Sequence, residues 1–407
     1  MLKLAVVVDT FPRWSERFIA RELSELRRRK VDFDVFCLAA GRLPTAANEE
    51  PEWLGLLERR KVLPSACSVK EMVSALGRMP KLKKSLYARV RADIAEELGL
   101  VDLLKLARAH ALEKALVDGK YGHVHAHFAG LTSSIAWLAT RNARVPLSIS
   151  VHARDLFVEP QLLSQKLADC ARVFTCHEHA RQYLVSQATN KADSERYRER
   201  VLLMRHGLPM DQFPFKARNG HSPSRERPFR ILAAGRFVPK KGFNHLIEAL
   251  AHPGLAEKNV ELKFIGDGPE RATLQKQIRA SKLKNVSFEP PLSGPELRDA
   301  FAQANVFAAP YLESPDGDID GVPNVVLEAF AIGLPVIGTR TGGLGEVLTN
   351  ETGTIIPDSK PESIAFGILT VLDSRKEAHL KSKIARDLIE RDYNIRKNIK
   401  PLMELFS

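Results

Sequence analysis

Residues 320–339 read DGVPNVVLEAFAIGLPVIGT, and this stretch carries the clearest structural signal in the chain. Pro323 suits the start of a helix, because proline lacks an N–H group that would have no intrahelical partner there. Gly333 suits the end of that helix, because glycine tolerates the left-handed backbone of a helix terminus. Apolar residues 335–339 then predict a buried strand. We therefore expect a short helix followed by a strand, as in the repeating unit of an α/β sheet.

Two carboxylates, Asp320 and Glu328, flank the start of this predicted helix. Carboxylates accept hydrogen bonds from sugar hydroxyl groups, and the N–H groups at a helix start bind phosphate. The pattern therefore predicts a nucleotide-sugar site, with one carboxylate for the sugar and one for the ribose. Glu328 has apolar neighbours, which is unusual for a carboxylate that only faces solvent. The residues expected to contact the ligand between the carboxylates are Gly321, Val322, Pro323 and Asn324.

The bulk properties of the chain limit its partners. A length of 407 residues suggests two domains, each with its own hydrophobic core. The formal net charge of +12 favours an anionic partner, such as nucleic acid, acidic lipid or a phosphorylated substrate. We expect no nucleic-acid partner, because no DNA- or RNA-binding motif is found and paired carboxylates would repel a phosphate backbone.

The cysteines and the apolar segments bear on the location of the protein. Its four scattered cysteines show no disulfide pattern, which favours a reducing, cytoplasmic environment. The first residues predict a strand rather than a signal peptide. No apolar run is long enough to span a bilayer, so we expect any membrane association to be peripheral.

Short apolar runs alternate with helical patterns in both halves of the chain. This alternation predicts an α/β fold with two parallel, Rossmann-like sheets. Polar residues 219–228 predict a linker, and residues 361–406 have a helical pattern. We predict an N-terminal domain at 1–205, a C-terminal domain at 206–385 and a final helix at 386–407. The predicted strands lie at 4–8, 33–38, 124–126, 147–151, 229–234, 261–265, 286–288, 306–309 and 335–339.

Residues 235–242 read GRFVPKKG and lie between a predicted strand and a predicted helix. In a parallel sheet such a turn lies at the carboxyl end of the strand, where ligands bind. Arg236 and Lys241 could hold a diphosphate there, the first as a planar fork and the second as a point charge. The alternative is a solvated basic turn.

Two further turns carry candidate ligand groups. His152 and Asp155 follow the predicted strand at 147–151 and would face a cleft between the domains, where His152 could bond a sugar hydroxyl. The alternative for His152 is a structural bond to the backbone. Residues 265–270 read IGDGPE and lack the third glycine of a dinucleotide fingerprint. We interpret this turn, with Gly268, as backbone presented to a nucleotide.

We predict no metal ion and no cofactor. Residues 316–321 read DGDIDG and resemble the first half of a calcium loop. The twelfth position of such a loop needs a bidentate carboxylate, and here it is Leu327. His123, His125 and His127 share one face of a strand but lack a fourth ligand, and the cysteines do not match zinc spacing.

Taken together and in order, these motifs resemble the nucleotide-sugar half of retaining glycosyltransferases with the GT-B fold, glycosyltransferase family 4. The resemblance implies two Rossmann-like domains that face each other across a cleft, with a final helix that returns to the N-terminal domain. It implies Arg236 and Lys241 for the diphosphate and Glu328 for the ribose. It also implies Asp320 for the donor sugar and His152 near the reacting carbon of that sugar.

The chain departs from the family pattern at two places. Asp320 stands where the family usually has glutamate, which shortens the reach by one methylene. Residues 11–19 read FPRWSERFI, where many members have a Gly-Gly pair. This variant resembles the branch that makes exopolysaccharide, colanic-acid-type or lipopolysaccharide chains. The resemblance thus implies a metal-independent, retaining transferase of the hexosyltransferase type, with a nucleotide-sugar donor and a glycan or lipid-linked glycan acceptor.

Other interpretations stay open at this point. A GT-B epimerase would use the same cleft without an acceptor, and the charge alone would fit a non-enzymatic polyanion binder. Residues 78–91 contain six basic residues and no acidic one. This segment fits either a helix on an anionic membrane surface or a solvated helix face.

Overall fold

The computed structural model describes residues 2–43, 53, 55–64, 101–157, 163–217, 224, 227–292, 294–315 and 317–406. The basic segment at residues 78–91, Asp316 and most of the predicted linker therefore lie outside the described residues.

The N-terminal sheet has seven strands, all paired in parallel. Their spatial order is β3-β2-β1-β4-β5-β6-β7. The sequence pattern predicted β1, β2, β4 and β5 but not β3, β6 and β7, which have only three or four residues each. The strands are β1 (Lys3–Phe11), β2 (Phe33–Ala40), β3 (Arg60–Val62), β4 (Tyr121–His127), β5 (Leu147–Val151), β6 (Arg172–Thr175) and β7 (Val201–Leu203).

Helices connect these strands. A short 3-10 turn at Trp14–Glu16 precedes the first of them, which begins at Arg17. The helices are α1 (Arg17–Arg28), α2 (Val101–Asp118), α3 (Leu131–Ala143), α4 (Ala153–Phe157), α5 (Leu163–Asp169), α6 (Glu178–Ser186) and α7 (Lys191–Arg200).

The C-terminal sheet has six parallel strands in the order β10-β9-β8-β11-β12-β13. This order repeats that of the first six strands of the N-terminal sheet, so the predicted pair of Rossmann-like α/β units is confirmed. The strands are β8 (Phe229–Ala234), β9 (Val260–Ile265), β10 (Val286–Glu289), β11 (Val306–Ala309), β12 (Val336–Gly338) and β13 (Thr354–Ile355).

The C-terminal helices include the short one predicted after Pro323. The single helical stretch predicted at residues 361–406 divides into four helices. The helices are α8 (Phe243–Ala249), α9 (Pro253–Ala256), α10 (Arg271–Ala280), α11 (Gly294–Gln303), α12 (Asn324–Ile332), α13 (Pro361–Asp373), α14 (Arg375–Asp392), α15 (Ile395–Asn398) and α16 (Lys400–Met403). None of the helices in the described part of the chain is long and apolar enough to cross a membrane.

Each sheet buries both faces, as parallel sheets do. In β1, Ala5 and Val7 pack into one buried cluster, whereas Leu4 and Val6 pack into another on the opposite face. Ile399, Leu402 and Phe406 from the end of the chain join the cluster that contains Leu4. The end of the chain therefore packs on the N-terminal sheet. The boundaries at residues 205 and 385 stay predictions.

The strand order locates the place where a ligand would bind. In both sheets the chain changes direction at the centre, between β1 and β4 and between β8 and β11. In open parallel sheets, ligands bind beyond the carboxyl ends of the strands at this switch point.

Candidate functional site

A cleft of about 320 Å³ lies beyond the carboxyl ends of β8 and β9. We call Trp14, Ser15 and Arg17 its N-terminal wall, because they follow β1 in the N-terminal domain. The C-terminal domain supplies the other lining residues, which are Ala234, Gly235, Arg236, Lys241, Ile265, Gly266, Asp267, Pro291, Leu292, Leu297, Asp320, Gly321, Val322, Pro323, Asn324, Val325 and Glu328. Most of the predicted site residues therefore line one cleft. The exceptions are His152, Asp155 and Gly268.

The start of α12 faces this cleft. Pro323 is the N-cap with an extended backbone, so the helix begins one residue after the proline. Asn324 and Val325 follow, and their N–H groups belong to the first turn, which has no intrahelical acceptors for them. Because both residues line the cleft, the helix start presents an anion-binding end to it. Gly333 ends the helix with a φ of 83°, as predicted.

Asp320 forms ion pairs with two lysines. Its Oδ2 lies 2.6 Å from Lys241 Nζ, and its Oδ1 lies 3.1 Å from Lys240 Nζ. Lys240 also bonds Asp318 Oδ1 at 2.8 Å. The sequence predicted separate partners for Lys241 and Asp320, whereas the structure joins them. It also shows a structural use for two acidic residues of the calcium-like motif.

This pairing determines the charge state of both groups. Burial by itself would lower the pKa of Lys241, but attraction to Asp320 and to the Tyr311 hydroxyl outweighs burial and raises that pKa. Burial would likewise raise the pKa of Asp320, but the two lysines lower it. Lys241 Nζ also lies 3.9 Å from the centre of the Tyr311 ring, a favourable cation–π distance. Both groups are therefore charged at neutral pH.

Arg236 is the exposed cation of the cleft. Within the described part of the chain, no acidic side chain forms an ion pair with it. Its loop is held by close backbone packing, because a Cβ atom on Gly266 would lie 2.0 Å from the carbonyl oxygen of Gly235. Phe237 N–H also donates to the carbonyl of Asp267 at 2.9 Å. The glycines of the two loops thus position Arg236.

Gly268 has a packing role in the same pair of loops. A Cβ atom there would lie 2.5 Å from the carbonyl oxygen of Phe237. Gly268 is not among the described residues that line the cleft, although Gly266 and Asp267 are. The predicted contact between Gly268 and a nucleotide therefore stays a prediction, and the neighbouring positions are better placed for it.

Glu328 forms an ion pair across the domain interface. Its Oε1 lies 2.6 Å from Nη2 of Arg21, which comes from α1 of the N-terminal domain. The side chain of Glu328 is only 5% exposed, and that of Arg21 is only 3% exposed. The Arg21 guanidinium also lies 5.6 Å from the centre of the Phe213 ring. Sequence analysis did not predict this partner, because the two residues are 307 positions apart and no local pattern links them.

His152 is half-buried and is not among the described residues that line the cleft. Its ring packs against Phe18 and Phe128, with centroid distances of 4.9 and 4.5 Å, and approaches His206 at 5.5 Å. Burial, and then the neighbouring histidines, lower the pKa of His152 well below its ordinary value. A neutral ring can donate one hydrogen bond and accept another, but it carries no charge.

Both carboxylate oxygens of Asp155 accept hydrogen bonds from backbone N–H groups. Its Oδ1 accepts the N–H of His152 at 2.9 Å, and its Oδ2 accepts the N–H of Ala129. Burial raises the pKa of Asp155 to about 7, despite these bonds and the nearby Lys166. The predicted substrate contact of Asp155 stays a prediction, and these contacts favour a role in joining two loops instead.

Glu22, His125 and His127 form a buried cluster whose potential ligand atoms all lie within 4.8 Å of one another. Glu22 Oε1 lies 3.4 Å from His127 Nε2 and 3.8 Å from His125 Nε2. However, both nitrogens of His125 already bond serine hydroxyls, those of Ser148 and Ser150, at 2.9 and 3.1 Å. The cluster therefore does not offer three free ligands to one ion.

A second contact joins the domains at Gly321. A Cβ atom on this glycine would lie 3.3 Å from the imidazole of His177, so a side chain would crowd the N-terminal domain. On the other side, a Cβ atom on Gly343 would lie 2.5 Å from the backbone nitrogen of Val322. The glycines at 342 and 343 therefore support the helix start, and sequence analysis missed them although they lie in the loop after β12.

The C-terminal half of the chain matches known proteins in sequence. Residues 216–388 match the family model described as "Glycosyl transferases group 1". The chain is 29% identical over 206 residues to WcaL of Escherichia coli strain K12, which is named for colanic acid biosynthesis as a glycosyltransferase. It is 28% identical over 201 residues to the amylovoran biosynthesis glycosyltransferase AmsK of Erwinia amylovora. Each match spans about half of both chains, 48% in each case.

A solved structure matches the whole chain. The Anabaena protein Alr3699/HepE, determined in complex with UDP-glucose, superimposes with a TM-score of 0.70. The match covers 100% of each chain at 15% sequence identity, so it shows the fold alone. The predicted GT-B architecture of two α/β domains is thereby confirmed.

Proposed function

We propose, on the premise that residues 216–388 form a group 1 glycosyltransferase domain, that this protein transfers a sugar from a nucleoside-diphosphate sugar to an acceptor. The acceptor would be a glycan or a lipid-linked glycan in the biosynthesis of a surface polysaccharide. One observation carries the proposal. A single cleft brings together Arg236, Lys241, Asp320, Glu328 and the start of α12.

Each of these groups would bind a different part of the donor. Glu328 would accept hydrogen bonds from the ribose hydroxyls, because it is a carboxylate that lines the cleft. Arg236 and the N–H groups at the start of α12 would bind the diphosphate, since both favour anions. Asp320 would accept hydrogen bonds from the hydroxyls of the donor sugar.

The observed pairing refines the role of Lys241. Its ammonium group has three N–H donors, and Asp320 accepts a hydrogen bond from one of them at 2.6 Å. Lys241 can therefore bind a phosphate oxygen while it keeps Asp320 ionised and oriented. We propose that Lys241 lies between the diphosphate and the donor sugar and organises both contacts.

Transfer breaks the bond between the anomeric carbon and the leaving phosphate oxygen, and the acceptor oxygen forms the new bond. Negative charge grows on the leaving diphosphate, and Arg236, Lys241 and the α12 amides would stabilise it. We propose transfer on the same face of the sugar, with the proton of the acceptor hydroxyl passing to the leaving phosphate. Because side chains and amides supply the counter-charge, we also propose that no divalent metal takes part.

The proposed contact between His152 and the donor sugar depends on how far the sugar reaches. His152 would contact the donor sugar near the reacting carbon, but its ring packs between Phe18 and Phe128. A contact therefore requires that the donor sugar reach beyond the residues that line the cleft to this half-buried ring. As a neutral ring, His152 would act through a hydrogen bond and not through charge.

The acceptor class is supported by the named relatives and by the basic segment. WcaL and AmsK are named for the biosynthesis of colanic acid and amylovoran. The six basic residues at 78–91 would attract anionic lipid, and a lipid-linked acceptor would lie at such a surface. Co-sedimentation with anionic liposomes tests this part, and binding equal to that of a charge-neutralised variant would contradict it.

A panel of UDP-, GDP-, ADP- and CDP-sugars tests the main proposal. We expect one class of donor to release its nucleoside diphosphate, faster when a glycan acceptor is added. Formation of an isomeric nucleotide-sugar without release of diphosphate would instead support an epimerase. The anomeric configuration of the product, measured by NMR, tests same-face transfer.

A further inference from the structure

The ion pair between Arg21 and Glu328 connects the N-terminal domain to the predicted ribose site. Glu328 Oε1 and Arg21 Nη2 lie 2.6 Å apart, and both side chains are almost fully buried. We propose that Arg21 is a positioning residue for recognition of the donor ribose. This inference rests on the proposed function, because it assumes that Glu328 binds the ribose hydroxyls.

The contacts of Glu328 leave part of its carboxylate available. Arg21 donates to Oε1, and Glu328 forms no other hydrogen bond with the residues that the structure describes. Glu328 also lines the cleft. A carboxylate held at one oxygen by a charged hydrogen bond has little freedom to rotate, so the direction of its second oxygen is set. That second oxygen is the acceptor that ribose hydroxyls would meet.

Arg21 is itself held in place from both sides. Its guanidinium lies over the Phe213 ring at 5.6 Å, within the C-terminal core. The next residue on α1, Glu22, points towards His125 and His127 of the N-terminal sheet. Adjacent residues of α1 thus contact different domains. Arg21 therefore couples the position of the N-terminal domain to the orientation of Glu328 in the proposed donor site.

Arginine suits this position better than lysine would. The planar guanidinium can bond a carboxylate and lie over an aromatic ring at the same time, whereas an ammonium group is a single hydrated point charge. A lysine at position 21 would keep the charge but lose the contact with Phe213. We therefore expect Arg21→Lys to keep only part of the effect.

Ribose recognition can be measured without catalysis. Calorimetric titration with UDP, GDP, ADP and CDP identifies the diphosphate that binds, and its 2′,3′-dideoxy analogue then serves as the probe. We expect the wild-type protein to prefer the ribose form by about tenfold or more, since hydrogen bonds to charged groups have this strength. Glu328→Gln should remove most of this preference.

Arg21→Gln should lower the ratio of ribose to dideoxy affinity several-fold, and Arg21→Lys should give an intermediate ratio. Arg28→Gln is the matched control, because Arg28 lies on the same helix and pairs with Glu25 at 2.7 Å on the exposed side. This control should keep the wild-type ratio. A purely structural role of Arg21 would weaken both ligands equally and leave the ratio unchanged.

Two results would overturn the inference in different ways. If Glu328→Gln loses the preference and both folded Arg21 variants keep it, Arg21 has no positioning role and the proposed function stands. If the wild-type protein binds none of the four diphosphates, the proposed function fails and the inference fails with it. Thermal unfolding checks that each variant is folded. If Arg21→Gln does not fold, the ratio of ribose to dideoxy affinity for Arg21→Lys decides whether Arg21 is a positioning residue.

Discussion

Lys241 Nζ lies 2.6 Å from Asp320 Oδ2, so the cation predicted for the diphosphate and the carboxylate predicted for the sugar are partners. The two residues come from loops that follow β8 and β11, and the parallel sheet brings these loops together. The negative charge of the donor diphosphate would enter a site in which buried lysines and aspartates already neutralise one another. This balance keeps Asp320 ionised next to the start of α12.

Replacing Lys241 by alanine should slow transfer by about a hundredfold or more, as loss of a positioned transition-state donor does. Lys240 still pairs with Asp320 at 3.1 Å, so the carboxylate keeps one cation and the fold should survive. Steady-state kinetics and circular dichroism measure the two effects. Normal turnover in a folded Lys241→Ala variant would contradict the assignment of Lys241 to the diphosphate.

Replacing Arg236 by alanine should weaken binding of the nucleoside diphosphate by about tenfold to a hundredfold, because a charged hydrogen bond to phosphate is lost. Stability should not change, since the side chain is exposed. Arg230→Ala is a suitable control, because Arg230 is also exposed, lies in the same strand region and is absent from the cleft. Equal affinity in the Arg236 and Arg230 variants would refute the role of Arg236.

Transfer should continue at an unchanged rate in the presence of a chelator such as EDTA. The proposed counter-charge comes from Arg236, Lys241 and the α12 amides and not from a divalent ion. The measurement is the rate of diphosphate release before and after chelation, with added magnesium or manganese as the comparison. Loss of activity that only a divalent ion restores would show that the counter-charge is incomplete.

Asp155 should make stability depend on pH. Burial raises its pKa to about 7, so the folded protein holds a proton that the unfolded carboxylate releases at its ordinary pKa. This contribution to the free energy of unfolding is present at low pH and is lost as the pH rises from about 4 to about 7. Asp155→Asn lacks this contribution, so its free energy of unfolding relative to that of the wild-type protein should rise between about pH 4 and about pH 7.

Urea unfolding at several pH values tests this prediction. The variant also loses one backbone acceptor, so its absolute stability will differ and only the pH slope is informative. Lys166, whose pKa burial lowers to about 7, affects the slope mainly above that pH. Identical slopes for the wild-type protein and Asp155→Asn below about pH 7 would contradict the burial of a protonated Asp155.

Most of the fold could be predicted from local sequence. Strands such as Val306–Ala309 are continuous apolar runs because both faces of a parallel sheet are buried. The helix from Asn324 to Ile332 carries its own start and stop signals in Pro323 and Gly333. Strands such as Arg60–Val62 were missed because three residues show no periodicity.

The candidate site was predictable only where its residues follow strands. Arg236 and Lys241 lie in the turn after β8, so the α/β pattern alone points to them. Arg21 has no such signal, because its importance depends on the way two domains meet. The contact between His152 and Phe18 depends on the packing of distant segments and could not be predicted.

The most direct test of the central claim is a crystal structure of the protein with the nucleoside diphosphate that it binds. We predict the nucleotide in the cleft, with its ribose hydroxyls bonded to Glu328 and its phosphates between Arg236, Lys241 and the start of α12. A nucleotide bound elsewhere, or one whose ribose lies away from Glu328, would contradict the assignment of this cleft as the donor site.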